Sequence, residues 1–249
     1  MSKPAMPQTI LITGASSGLG LAFLQHYATQ PSTSLIIALD LRPLPSSATP
    51  PNTSTQVLFQ KVDITTPTQL QTLATTDLNN TPIDLLIHCA GIRGLVEDVA
   101  NQKQDVAAAE TWHVMNQDTM RRTFEINTIG TFNVISALLP NLRLASNPKV
   151  IILSSRMGSI ASNTSGGGYA YRASKAALNA VVKSFSIDVP EVSFLLLHPG
   201  RVETGLVGWK EEGAISVGES LKDCLSVIDG LGKEGSGRLV DRFGVEIPW

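Results

Sequence analysis

Seven short apolar runs recur along the chain, at residues 9–13, 34–40, 56–63, 83–88, 149–154, 192–198 and 237–241. They are apolar at successive positions instead of every second one, which marks strands buried on both faces, the habit of parallel sheets. Helix-spaced stretches lie between them. One spans 19–29. Another opens at Thr66-Pro67, an N-cap and first-turn proline, and carries Leu70 and Leu73. A long one covers 116–144 with a bend expected near Pro140, and others cover 169–186 and 216–229. Strand–helix alternation with right-handed crossovers predicts an α/β fold: a doubly wound parallel sheet of about seven strands with helices on both faces. The proline-rich stretch 42–55 reads as a surface loop and not a linker, because the alternation resumes beyond it with unchanged composition. The expectation is a single domain over 1–249, with residues 1–7 a flexible tail.

Composition narrows the function classes. At 43% hydrophobic and 16% charged residues there is ample material for a core, which excludes wholesale disorder. Nineteen Lys and Arg against twenty-one Asp and Glu leave a net charge of −2 with no block of like charge. Neither a nucleic-acid backbone nor an anionic membrane is therefore expected as the main partner. Cys89 and Cys224 are the only cysteines, which excludes a disulfide scaffold and a multi-cysteine zinc site; no metal is expected. Residues 1–8 hold two prolines and no apolar run, and no apolar stretch approaches ~18 residues. The reading is a soluble, cytoplasmic protein.

The first strand runs into Thr13-Gly14-Ala15-Ser16-Ser17-Gly18-Leu19-Gly20, a GxxxGxG turn that opens the first helix. Glycines there let the backbone approach a pyrophosphate, and a helix N terminus offers N–H donors and the positive end of a dipole. Three glycines alone equally suit an ordinary strand–helix turn. Their place after the first strand, and Asp40 ending the second strand 20 residues past Gly20, point to a Rossmann-type dinucleotide site. Gly14, Ser16, Ser17, Gly18, Leu19 and Gly20 are therefore candidate cofactor residues. Asp40 suits the adenosine ribose hydroxyls and repels a 2′-phosphate, and residues 15–17 bring no basic group, which favours NAD(H). Arg42 is the counter-cue, since a fold-back onto a 2′-phosphate favours NADP(H).

Tyr171-Arg172-Ala173-Ser174-Lys175 is YxxxK, and on a helix positions i and i+4 share a face. A phenol of pKa ~10 is a poor acid–base group at neutral pH. A cation ~4 Å away contributes about 4 kcal/mol at an effective dielectric of ~20, at most roughly three pKa units. That brings a phenol towards the useful range. Alone the pair equally suits a surface i,i+4 contact. Upstream, Ser154-Ser155-Arg156-Met157-Gly158 ends the fifth strand, where ligands bind in such sheets. A hydroxyl there suits a carbonyl oxygen held beside the phenol.

Together these residues resemble the short-chain dehydrogenase/reductase family over nearly the whole chain. The family's TGxxxGxG matches residues 13–20, and the aspartate after the third strand matches Asp63, followed by Ile64. The helix-four asparagine matches Asn127 in EINTIGTF, and the serine of SSxxG matches Ser155. Tyr171 and Lys175 match the family's Tyr and Lys, and Pro199, Gly200, Val202 and Thr204 match its PG…T segment. The segments SSRMGSI, YAYRASKAALN and IPW more narrowly resemble the branch of sniffer-like carbonyl reductases and C-factor. One departure is His88-Cys89-Ala90-Gly91 where the family has NNAG, so His88 either replaces the asparagine's hydrogen bonds or loosens the strand. Another is the extra length before Tyr171, assigned to a flexible loop at 162–168 over the substrate side.

The resemblance implies NAD(P)-dependent transfer of a hydride between nicotinamide and a carbonyl or secondary alcohol. Tyr171 is then the general acid/base, Lys175 lowers its pKa and meets the nicotinamide ribose, and Ser155 orients the carbonyl. Asn127 holds a water that links Lys175 to solvent. Ala90, Gly91, Pro199, Gly200, Val202 and Thr204 line the nicotinamide side, and Asp63 and Ile64 the adenine. Helices four and five imply a homodimer or homotetramer. Arg93, Trp112, His113, Met157, Ile160 and Trp209 are expected around a medium-sized, partly apolar small-molecule substrate, with Arg93 read as a solvated loop arginine. Two other functions stay open: a biosynthetic reductase that couples reduction to dehydration or cyclisation, and a non-catalytic cofactor-binding signalling protein.

Overall fold

The computed structural model describes residues 8–49, 53–207, 209 and 212–249. Seven strands form one parallel sheet: β1 (Gln8–Thr13), β2 (Thr33–Asp40), β3 (Gln56–Lys61), β4 (Leu85–His88), β5 (Lys149–Leu153), β6 (Ser193–His198) and β7 (Arg238–Asp241). Their spatial order is β3-β2-β1-β4-β5-β6-β7. Successive side chains point to opposite faces, and both faces are covered. Leu11, Ile37, Leu86, Val150 and Leu196 pack on one side with Leu70, Leu138 and Leu178. Ile10, Ile36, Ile87 and Leu195 pack on the other with Phe23, Leu24 and Ile228. This is the doubly wound sheet expected from unbroken apolar runs.

The helices are α1 (Gly18–Ala28), α2 (Pro67–Thr72), α3 (Glu97–Lys103), α4 (Val106–Ala109), α5 (Gln117–Phe124), α6 (Gly130–Arg143), α7 (Tyr169–Asp188) and α8 (Val217–Asp229). None is long and apolar enough to cross a membrane among the described residues. Thr66 precedes α2 in extended conformation and Pro67 opens the helix, but the threonine side chain makes no capping bond. The long helical stretch is α5 and α6 joined by a π turn, Glu125–Ile129, with Asn116 capping the start through Thr119 N–H at 2.8 Å. Its break from α geometry therefore falls around Asn127. The helix runs on through Pro140 to Arg143. α3 and α4 were not foreshadowed by periodicity, because each is too short to show a repeat. Asp105 does announce α4, accepting from Ala107 and Ala108 N–H.

Of the proline-rich stretch, residues 50–52 lie outside the described residues, as do 1–7. Residues 41–49 are largely exposed, as a surface loop should be, with Ala48 buried against the face that carries α1. The loop ends at Thr55, whose hydroxyl lies 3.0 Å from the Ala28 and Thr33 carbonyls.

Candidate active site

Strand order reverses between β1 and β4, and the crevice at the carboxyl ends of the strands opens into a cleft of about 620 Å³. At one end lies the turn between β1 and α1. Gly14 and Gly18 have φ of +66° and +53°, and a Cβ at Gly20 would stand 2.1 Å from the Gly14 carbonyl oxygen. Only glycine allows this turn to close so tightly. Ser17 precedes α1 without making a side-chain cap, and the first turn of α1 holds no acid. The opening amides of the helix are thus left for an anion. Instead, Ser17 Oγ accepts from the Arg42 guanidinium at 2.8 Å. Asp40 accepts Ser16 N–H and Arg42 N–H, each at 3.0 Å, so both of its oxygens brace the turn. Thr204 closes over the same end, 3.2 Å from where a Cβ on Gly18 would lie. Asp63 accepts from the Thr65 amide and hydroxyl at 2.9 and 2.7 Å.

At the other end, Ser155 follows β5 and its Oγ accepts Met157 N–H at 3.1 Å, which orients the hydroxyl. α7 buries a stripe that includes Tyr171, Ser174, Lys175, Leu178 and Val182, so the Tyr–Lys pair is the first part of the helix's core-facing side. Lys175 Nζ donates to the Leu153 carbonyl at 2.8 Å, and burial brings its pKa down to about 8. Burial pushes the Tyr171 phenol up from its ordinary value, against the pull of Arg93 and a hydrogen bond with Ser155. Arg93 is the surprise. Its guanidinium carbon lies 4.7 Å from the centre of the Tyr171 ring, against 5.8 Å for Lys175 Nζ. It donates to Glu110 at 2.7 and 3.0 Å and to Met157 Sδ at 2.7 Å, and both members of the ion pair are largely buried. The solvated loop arginine expected at position 93 is thereby corrected: a carboxylate 17 residues further on draws it inward.

His88 joins the two ends. Its Nδ1 lies 2.9 Å from Thr13 Oγ1 and its Nε2 3.0 Å from Thr131 Oγ1. Thr131 gives its one hydroxyl proton to the Asn127 carbonyl at 2.7 Å, so Nε2 must carry a hydrogen and donate to it. Burial and Lys175 lower the His88 pKa to about 3, so the ring is neutral and Nδ1 accepts from Thr13. Thr13 in turn accepts Ala90 N–H at 3.2 Å. Of the two outcomes open for this departure, His88 supplies the hydrogen bonds. Asn127 lies behind the cleft. Its Nδ2 donates to the Ile92 carbonyl and Ser174 Oγ at 2.9 and 3.0 Å, and its Oδ1 accepts Ile92 N–H at 2.8 Å.

With this geometry in place, comparison with known proteins is decisive. Residues 8–214 match the model of the short chain dehydrogenase family. The chain belongs to that family. C-signal of Myxococcus xanthus is 44% identical over 170 residues, which are 68% of this chain and 93% of that protein. The NADPH-bound carbonyl reductase from chicken fatty liver superposes with a TM-score of 0.82 at 26% identity, over 98% of this chain and 100% of that one. The carbonyl reductase Sniffer of D. melanogaster does so with a TM-score of 0.81 at 25% identity and the same coverage. These similarities fall in the branch that SSRMGSI, YAYRASKAALN and IPW indicate. As a short-chain dehydrogenase the chain is an oxidoreductase.

The cleft of this dehydrogenase gathers nearly all the candidate residues. Gly14, Ser17, Gly18, Leu19, Gly20, Asp40 and Arg42 line one end, with Asp63 and Ile64 beside them. Ala90, Gly91, Pro199, Gly200, Val202 and Thr204 line the middle, and Ser155, Tyr171 and Lys175 the other end. Ser16 and Asn127 are not among the residues that line it. Of the residues expected around the substrate, Arg93 stands over the Tyr171 ring, and Met157 touches Arg93. Trp112 and Ile160 are 67% and 78% exposed, the Trp112 ring tilted against His113, and Trp209 lines an adjoining cavity of about 610 Å³. In the loop at 162–168, Arg172 donates to Ser165 Oγ and to the Gly166 and Gly167 carbonyls, and Gly168 N–H donates to the Glu110 carbonyl. Glu110 carried no signal in the sequence, because nothing periodic or motif-like links it to Arg93.

Proposed function

We propose that the chain is an NAD(P)-dependent reductase of carbonyls, or dehydrogenase of the corresponding secondary alcohols, acting on a medium-sized, partly apolar small molecule. The observation that carries this reading is the placing of Ser155, Tyr171 and Lys175 in the same cleft as an uncapped, glycine-turned helix N terminus. The residues present fit a dinucleotide. The amides at the start of α1 suit its pyrophosphate, and the close backbone approach at Gly14 and Gly20 leaves the space free of side chains. Arg42, stretched over Ser17, suits a 2′-phosphate, and with both Asp40 oxygens already holding amides this favours NADP(H) over NAD(H). When bound, the nicotinamide supplies or accepts the hydride.

The chain's own residues manage the proton. Ser155 Oγ, oriented by Met157 N–H, holds the substrate oxygen beside the Tyr171 phenol. Tyr171 gives its proton to that oxygen in reduction and takes it back in oxidation. Lys175 holds a positive charge under the cleft, and Asn127 fixes Ile92 against Ser174, which shapes the wall between Gly91 and α7. Reduction needs the phenol protonated and Lys175 charged, so it should fall as pH rises through about 8, where Lys175 loses its proton. The test is Tyr171→Phe, assayed with 4-nitrobenzaldehyde and NADPH and titrated with NADPH by nicotinamide fluorescence. Turnover should drop on the order of 10²–10⁴-fold with dinucleotide affinity within about twofold of the unaltered chain. Retained turnover, or failure of the unaltered chain to bind either dinucleotide, refutes the reading.

A further inference from the structure

The YxxxK spacing directs attention to Lys175 as the cation beside the phenol, yet the guanidinium of Arg93 lies closer to the ring, at 4.7 against 5.8 Å. We propose that Arg93, held by Glu110, is the positioning residue for Tyr171: its guanidinium pins the ring and places a positive charge beside the phenol. This rests on the reading of Tyr171 as the acid–base group. Arg93 sits in the segment between β4 and α3, one residue before Gly94, whose φ of +72° turns the chain there. Two bonds from one guanidinium nitrogen to the Glu110 carboxylate, and a third contact to Met157, leave it little freedom to leave the ring. A guanidinium stacked on a partly desolvated aromatic face is a favourable arrangement in its own right. Glu110 is anchored too, its carbonyl accepting Gly168 N–H just before α7 begins. A Cβ at Gly168 would meet Met157 Cε at 2.6 Å, so the start of α7, Met157 and the ion pair form one packed unit around the phenol.

Among the described residues, the charged and titratable groups that face Tyr171 are Arg93 and Glu110 from two loops and Lys175 from its own helix, with the Ser155 hydroxyl beside them. Arg93 draws the phenol's pKa down and Glu110 pushes it up, while Lys175 is occupied with the Leu153 carbonyl and faces His88 and Cys89. The pair therefore works as a cation moderated by its counter-ion.

The experiment is a phenolate titration by ultraviolet absorption of cofactor-free protein, taking the difference between each chain and the same chain with Tyr171→Phe, within the pH range in which circular dichroism reports a folded protein. It needs no substrate. Arg93→Met should raise the Tyr171 titration by about one pH unit, Arg93→Lys should return most of that shift, and Glu110→Gln should lower it. If Arg93→Met leaves Glu110 so poorly paired that the chain fails to fold, the double substitution Arg93→Met/Glu110→Gln removes both charges and should still titrate above the unaltered protein. Glu110→Gln keeps the test readable if the upward shifts leave the accessible range. Unchanged titration in Glu110→Gln and in the foldable Arg93 variant overturns the proposal. Turnover surviving Tyr171→Phe instead overturns the reading on which it rests, so the two failures are distinguishable.

Discussion

At the glycine-turn end of the cleft the surface is backbone: positive φ at Gly14 and Gly18, the amides opening α1, and the Asp40 oxygens bracing the turn from beneath. At the phenol end it is side chain against side chain, with Tyr171 framed by Ser155, Lys175, Arg93 and Glu110, the five residues coming from four separate stretches. The two ends tolerate change differently for that reason. A backbone surface depends on a few residue types at fixed positions and recognises what all dinucleotides share. A side-chain surface depends on pairs brought together from afar and is free to differ between relatives without altering the sheet.

The largest effect should come from breaking the backbone end. Gly20→Ala places a methyl group 2.1 Å from the Gly14 carbonyl oxygen, where nothing flexible is able to yield. We expect a loss of about 3 kcal/mol in unfolding free energy, measured by urea denaturation, together with loss of dinucleotide binding. A change below about 1 kcal/mol would show that the turn is able to relax and that the contrast between the two ends is overstated.

A smaller effect probes the link between the ends. His88 stays neutral in the fold, with its pKa lowered to about 3, while an unfolded histidine takes up a proton below about 6.5. The unfolded chain therefore binds more protons as pH falls, and stability should decline from pH 6.5 towards pH 3. At pH 4 the expected contribution of this residue is at most about 3 kcal/mol. His88→Asn should remove that part of the slope while keeping the fold at pH 7. His198, lowered to about 4 by burial, leaves a residual slope. Acid denaturation curves of the two chains with the same slope would show that His88 is not the titrating group.

The smallest effect lies in a side chain at the backbone end. Arg42→Ala should weaken NADPH about tenfold and NADH less than twofold, read by fluorescence titration. Equal weakening of both would mean that Arg42 only braces Ser17, and Asp40 would then decide the preference.

These differences explain what was legible in the amino-acid order. The sheet was, because strands buried on both faces must be apolar at consecutive positions, and the parallel order follows from alternation with helices. The glycine turn was, because a conformation open mainly to glycine leaves glycines behind. The Tyr171–Lys175 pair was, because a helix repeats every 3.6 residues. The Arg93–Glu110 pair was not: its members lie 17 residues apart across two short helices, in a stretch without period. Nor was the π turn at Glu125–Ile129, since the residues that widen it read like ordinary helix. Asn127 stood out only through the family resemblance, and its bonds to Ile92 and Ser174 appear only once the chain is folded.

The line of hydrogen bonds through His88 has a sense of direction. Protons point one way along it, from the Ala90 amide through Thr13, the imidazole and Thr131 to the Asn127 carbonyl. Whatever occupies position 88 must receive at one end and give at the other while bearing no charge. A neutral imidazole does this, and so does a carboxamide, whose oxygen accepts and whose nitrogen donates. A leucine does neither, and a carboxylate is able only to receive. Histidine in place of asparagine is thus a change of residue that leaves the order of donors and acceptors untouched.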